Sequence, residues 1–62
     1  MANTVPEVFN RAMSGMTVRF RVAGVEGEFE RKITSVAVDR SCLQFEDGTS
    51  LEAARTDVIV IL

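Results

Sequence analysis

Apolar residues stand at Val5, Val8, Phe9, Ala12, Met13 and Met16, a three-and-four spacing that lines one face of a helix. Thr4 opens that run as a capping box with Glu7: its hydroxyl accepts from the Glu7 amide, and the Glu7 carboxylate reaches back to the Thr4 amide. Pro6 is tolerated there because first-turn amides have no helical acceptor. Gly15 stands where a left-handed residue would cap the end. The pattern predicts a helix over 5–14.

From Thr17 the period drops to two. Val18, Phe20 and Val22 alternate with Thr17, Arg19 and Arg21, which predicts a half-buried strand over 17–23. Gly24-Val25 suits a two-residue hairpin turn with glycine first. That turn sets Ala23 against Glu26 and Phe20 against Phe29 inside, with Arg21 against Glu28 and Arg19 against Glu30 outside. Favourable cross-strand pairs of this kind are each worth roughly 0.2–1 kcal/mol. The same register puts Arg31 on the inward parity, opposite Val18. A second strand over 26–38 points Phe29 and Ile33 inward and then Val36 and Val38. This change of parity predicts a bulge near Thr34-Ser35.

A third strand over 41–45 points Leu43 and Phe45 inward. Read as a two-residue turn, Asp47-Gly48 would set Leu43 against Glu52. A three-residue loop, Glu46-Asp47-Gly48 with Gly48 left-handed, sets Leu43 against Leu51 and is preferred. A fourth strand over 49–55 carries Leu51 and Ala53, Arg55-Thr56-Asp57 makes a tight connection, and a fifth strand covers 57–62. Val58 to Leu62 is apolar on both faces, where a strand with one wet face would alternate. One face fills the core; the other needs cover from the helix, from the bent second strand or from another subunit. The expected architecture is mainly β: an N-terminal α-helix and a five-stranded, strongly bent antiparallel small barrel, with 1–62 as a single domain.

A chain of 62 residues is near the size at which folding needs a staple. Cys42 is the only cysteine, so no internal disulfide forms, and without histidine a tetrahedral zinc lacks its ligands. Self-association is the remaining support. The longest apolar run is far short of a membrane span, and no secretory leader follows Met1. With one cysteine, the expectation is a cytoplasmic protein without membrane association.

Candidate chemistry is sparse. The absence of histidine, tyrosine and tryptophan leaves acid–base work to carboxylates or a lysine, and the acidic residues fall mostly on outward positions or in turns. Cys42 lies opposite in parity to Leu43 with Arg40 nearby; no base accompanies it, so it reads as an inert thiol rather than a reactive one. No enzyme activity, metal or cofactor is expected. The net charge of −2 argues against non-specific phosphate binding, although six of the seven cations are arginine. The register leaves Arg31, Lys32, Arg40 and Arg55 without an acidic partner. Arg31 either closes the barrel end, with its stem buried and its head in water, or lines a site. No outward aromatic residue stands beside these cations to stack a base.

One capped helix followed by five strands, the second long and bent, resembles the Sm-like fold, and the layout is most similar to Hfq-type RNA chaperones. The matching elements are Pro6, Phe9 and Asn10 in the helix, Val18 to Val22 with Gly24 after it, and Val36 and Asp39 before Leu43-Gln44-Phe45. The ending Ala54 to Val60 closes the likeness. The resemblance implies a self-associating ring in which strand five of one subunit pairs with strand four of the next. It implies RNA as the ligand. Where that family carries a Lys-His pair this chain reads Arg55-Thr56, so Arg55 is carried over as the basic residue. Asp39 matches an aspartate that helps hold a base, and Ser41-Cys42 offers no asparagine after it.

Two functional expectations follow. The first is an Sm-like barrel that self-associates and binds RNA through Arg55, with Arg31, Lys32 and Asp39 as further candidates. Its homo-oligomer interface would comprise Leu51, Ala53, Val58, Ile59, Val60 and Ile61. The second is an SH3-like module for protein interaction or regulation, without nucleic-acid binding. The acidic balance favours the second; the helix-plus-five-strand layout favours the first.

Overall fold

A computed structural model describes residues 4–62. Helix α1 (Val5–Arg11) precedes strands β1 (Thr17–Val22), β2 (Phe29–Val36), β3 (Cys42–Phe45) and β4 (Ser50–Glu52). A 3-10 turn over Ala53–Arg55 leads into β5 (Thr56–Ile61). The protein is mainly β, with one short helix on a five-stranded antiparallel sheet in the order β4-β3-β2-β1-β5. No helix among the described residues is long and apolar enough to cross a membrane.

The Glu7 amide donates to the Thr4 hydroxyl at 3.4 Å, so the forward half of the capping box is present. The helix ends three residues earlier than its apolar spacing predicts. Ala12 is extended and fully buried, and Arg40 Nη1 donates to its carbonyl at 2.8 Å. A carbonyl held from outside no longer needs a further helical turn. Gly15, with φ +95°, is therefore not the helix cap; its amide donates to the Ile33 carbonyl and steers the chain onto β2. Val8, Phe9 and Ala12 are the helix residues in the core, while Met13 is 59% exposed.

The β1–β2 register is the one the alternation predicts: Phe20 opposite Phe29, Arg19 opposite Glu30, Val18 opposite Arg31. The turn differs. The ladder stops at Phe20 and Phe29, and the connection bends through Gly24 and Gly27, both at positive φ, instead of closing as a two-residue hairpin. The Ala23 amide is drawn away to the Arg55 carbonyl at 2.7 Å. Arg21 pairs with Val58 of β5 on the other side of β1, but its expected pairing with Glu28 is absent from the ladder.

The predicted bulge lies between Ile33 and Ser35, and from there β2 pairs with β3. Val36 is half-buried as expected, but β2 ends there and Val38 is fully exposed in the turn. The three-residue loop is also as predicted: the Phe45 amide donates to Thr49, Gly48 has φ +89°, and Leu43 faces Leu51. β4 is shorter than 49–55, because the chain coils at Ala53–Arg55 and β5 begins at Thr56.

Phe9, Val18, Phe20, Ile33, Leu43, Phe45, Leu51 and Ile59 join Val8 and Ala12 in one core. Removing each large side chain from water contributes roughly 1.5–3 kcal/mol.

Candidate functional site

Arg31 leaves β2 on the inward parity, as the register requires, but it is not unpaired. Its Nε donates to Asp47 Oδ2 at 2.7 Å, its Nη1 donates to the Glu30 carbonyl at 2.8 Å, and its guanidinium lies 5.6 Å from the Phe29 ring centre. Asp47 in turn accepts from the Thr49 hydroxyl and amide. These bonds, with the nearby Arg31 charge, hold the Asp47 carboxyl below the ordinary aspartate range. Asp47 was legible in principle. Ile33 opposite Phe45, continued by the Glu46 amide donating to the Lys32 carbonyl, brings residue 47 opposite residue 31. Reading it requires the bulge to be fixed to a single residue.

Arg31 also lies between two depressions. One is a small apolar cleft of about 170 Å³, walled by Phe20, Val22, Phe29, Arg31, Thr49 and Ser50. The other is a wider polar groove along Thr17, Glu30, Lys32, Glu46 and Asp47. The cleft was missed from sequence because both phenylalanines read as core. Phe20 is buried, whereas Phe29 is only half-buried, its ring stacked on Phe20 at 5.6 Å.

The other expected site residues do not gather around it. Lys32 lines the polar groove and is exposed. Arg55 lies on the 3-10 turn next to Ala23, while Arg31 is opposite Val18. Ala23, just past the end of β1, is five positions from Val18, about 16 Å along a strand. Arg55 Nε stands 3.8 Å from Glu52, and both side chains are largely exposed, a weak pairing. Asp39 is occupied by the Ser41 hydroxyl and amide, whose hydrogen bonds lower its carboxyl from the ordinary value. Arg40 is structural, at φ +62° and bonded to Ala12. Cys42 is half-buried opposite Glu52.

The expected interface residues divide by face. Leu51 and Ile59 are buried in the chain's own core, and Ala53 and Ile61 are half-buried. Val58 and Val60 remain 51% and 38% exposed, so α1, although packed on β5, does not cover that face. Both outer strands of the sheet have an open side. The Leu62 amide donates to Thr17, so by antiparallel alternation Ile59 and Ile61 turn their amides away from β1. The Phe45 to Thr49 bond sets the opposite edge, where Ser50 and Glu52 turn theirs away from β3.

Comparison of the chain with protein-family models, curated proteins and solved structures returned no match.

Proposed function

We propose that this chain is a non-catalytic small-barrel binding module that self-associates through the open edges of its sheet. The observation that carries this reading is the outer face of β5. Val58 and Val60 stand exposed on a strand with one unpaired side, in a chain whose one cysteine and lack of histidine give neither an internal disulfide nor a Cys/His zinc site to support it. Such an edge is an aggregation hazard unless another strand covers it. Barrel closure is supported by contacts between strands that are not neighbours: Phe20 of β1 stacks on Phe45 of β3 at 5.2 Å, and Leu51 of β4 shares a core with Ile59 of β5. The non-catalytic reading rests on the missing histidine and tyrosine and on a thiol without a base. Amide exchange over a dilution series tests the edge: Ile59 and Ile61 amides should be protected when concentrated and exchange freely when dilute. Protection that ignores concentration refutes intermolecular pairing.

Protein is favoured over RNA as the further partner because Arg19, Arg31 and Arg40 are engaged with Glu30, Asp47 and the Ala12 carbonyl. The RNA reading retains two exposed cations as support: Arg55, whose side chain is 76% exposed, and Lys32, which makes no ion pair among the described residues. A titration with oligo-uridine and oligo-adenine at two salt concentrations decides it, since phosphate contacts give a steep salt slope.

A further inference from the structure

The two open edges of the sheet differ in what they can pair with. β4 is three residues long before the chain coils, and its outward amides belong to Ser50 and Glu52, whose side chains are exposed. β5 is six residues long, and its outward amides belong to Ile59 and Ile61, whose side chains pack with the core. Residues directly opposite in an antiparallel pair share one face of the sheet. Joining β4 to the β5 of another copy with Ser50 against Ile61 therefore sets the Glu52 carboxylate beside Ile59, a core residue. A shift of two residues sets Glu52 against Asp57, a like charge. Both arrangements are unfavourable.

β5 against β5 has neither fault. With Ile59 opposite the second copy's Ile61, and Ile61 opposite its Ile59, each pair exchanges amide and carbonyl. Val60 then stands opposite its own counterpart, and Val58 stands opposite the second copy's Leu62. Val58, Val60 and Leu62 are the exposed apolar residues of this stretch, and their backbones face β1. They thus occupy the non-hydrogen-bonded positions, where facing side chains come closest. Centring the pair on Ile59 instead would set Leu62 against Thr56, and centring it on Ile61 would carry Val58 past Leu62.

We infer that the chain forms a two-fold dimer in which β5 pairs antiparallel with the β5 of a second copy, centred on Val60. The inference rests on the reading of the chain as self-associating, and it specifies which edge is used: β5 meets itself, and β4 stays free. Such an isologous contact closes at two copies, whereas a β4-to-β5 contact propagates into a ring or a filament.

The test is disulfide trapping in a Cys42→Ser background, with Val60→Cys, Val58→Cys, Leu62→Cys and Ser50→Cys made singly at these exposed positions. The Cα atoms of a non-hydrogen-bonded antiparallel pair lie about 4.5 Å apart, within the range of roughly 4.4–6.8 Å that a disulfide spans. Under oxidised glutathione, Val60→Cys should form a covalent dimer at least about tenfold faster than the other three, because only its thiol meets its own copy at high effective concentration. Mixing Val58→Cys with Leu62→Cys should restore rapid trapping between the two chains. Sedimentation of the Cys42→Ser chain should reach a plateau at the mass of two chains. Trapping of Val60→Cys no faster than Ser50→Cys, or an assembly larger than two, would overturn the two-fold dimer and leave self-association standing. A folded monomer at every concentration would overturn both.

Discussion

Phe20 and Phe29 are partners across β1 and β2, with ring centres 5.6 Å apart; both wall the cleft, yet Phe20 is buried in the core and Phe29 is only half-buried. Their replacement should therefore differ in cost. Phe20→Ala removes a ring that is 6% exposed and also stacks on Phe45, and should cost about 3–5 kcal/mol, enough to unfold a domain this small. Phe29→Ala should cost about half as much, because part of its ring is already in water. Urea melts of the two variants check the ranking; equal losses would place Phe29 in the core.

That pair also marks how far the sequence carried the fold. Period-two alternation set the β1–β2 and β3–β4 registers, since a slip of one residue would expose Phe20, Leu43 and Leu51 together. Helix length and strand ends were less legible, because long-range bonds decide them. Arg40 takes the Ala12 carbonyl, and the Arg55 carbonyl takes the Ala23 amide that a tight hairpin would have used. The candidate site was read poorly for a related reason: Arg31 finds Asp47 sixteen residues away, across a bulge.

Arg40 combines a left-handed backbone with a bond to Ala12, and two substitutions separate these effects. Arg40→Ala keeps the backbone cost and loses the bond, and should destabilise by roughly 1–3 kcal/mol. Arg40→Gly loses the bond but relieves a left-handed backbone, and should be less destabilising by about 1 kcal/mol. If the glycine variant is the weaker of the two, φ at this position is not as described.

Asp47 should titrate below the ordinary aspartate value, chiefly through the Thr49 hydroxyl and amide and then through Arg31. A carboxyl depressed in the folded state stabilises above its unfolded value and loses that contribution as pH falls through the folded one. Loosening of the β3–β4 loop is thus expected only at pH below the usual aspartate range. Following the Asp47 carboxyl carbon and the Thr49 amide by NMR against pH checks this. Asp47→Asn should remove the transition at Thr49; a midpoint at the ordinary aspartate value in the parent chain would show that these bonds do not persist in solution.

Val58 and Val60 separate the assembled account from the monomeric one, because they are the exposed apolar residues of β5 and lie outside the core. Ile59 is unsuitable for the test, since its burial means a charge there would unfold the chain. Lysine on an edge strand opposes pairing without disturbing the interior. Sedimentation of the parent chain and of a Val58→Lys, Val60→Lys variant, both across micromolar concentrations, should give a concentration-dependent oligomer for the first and a folded monomer for the second. A parent chain that sediments as a folded monomer throughout would contradict self-association.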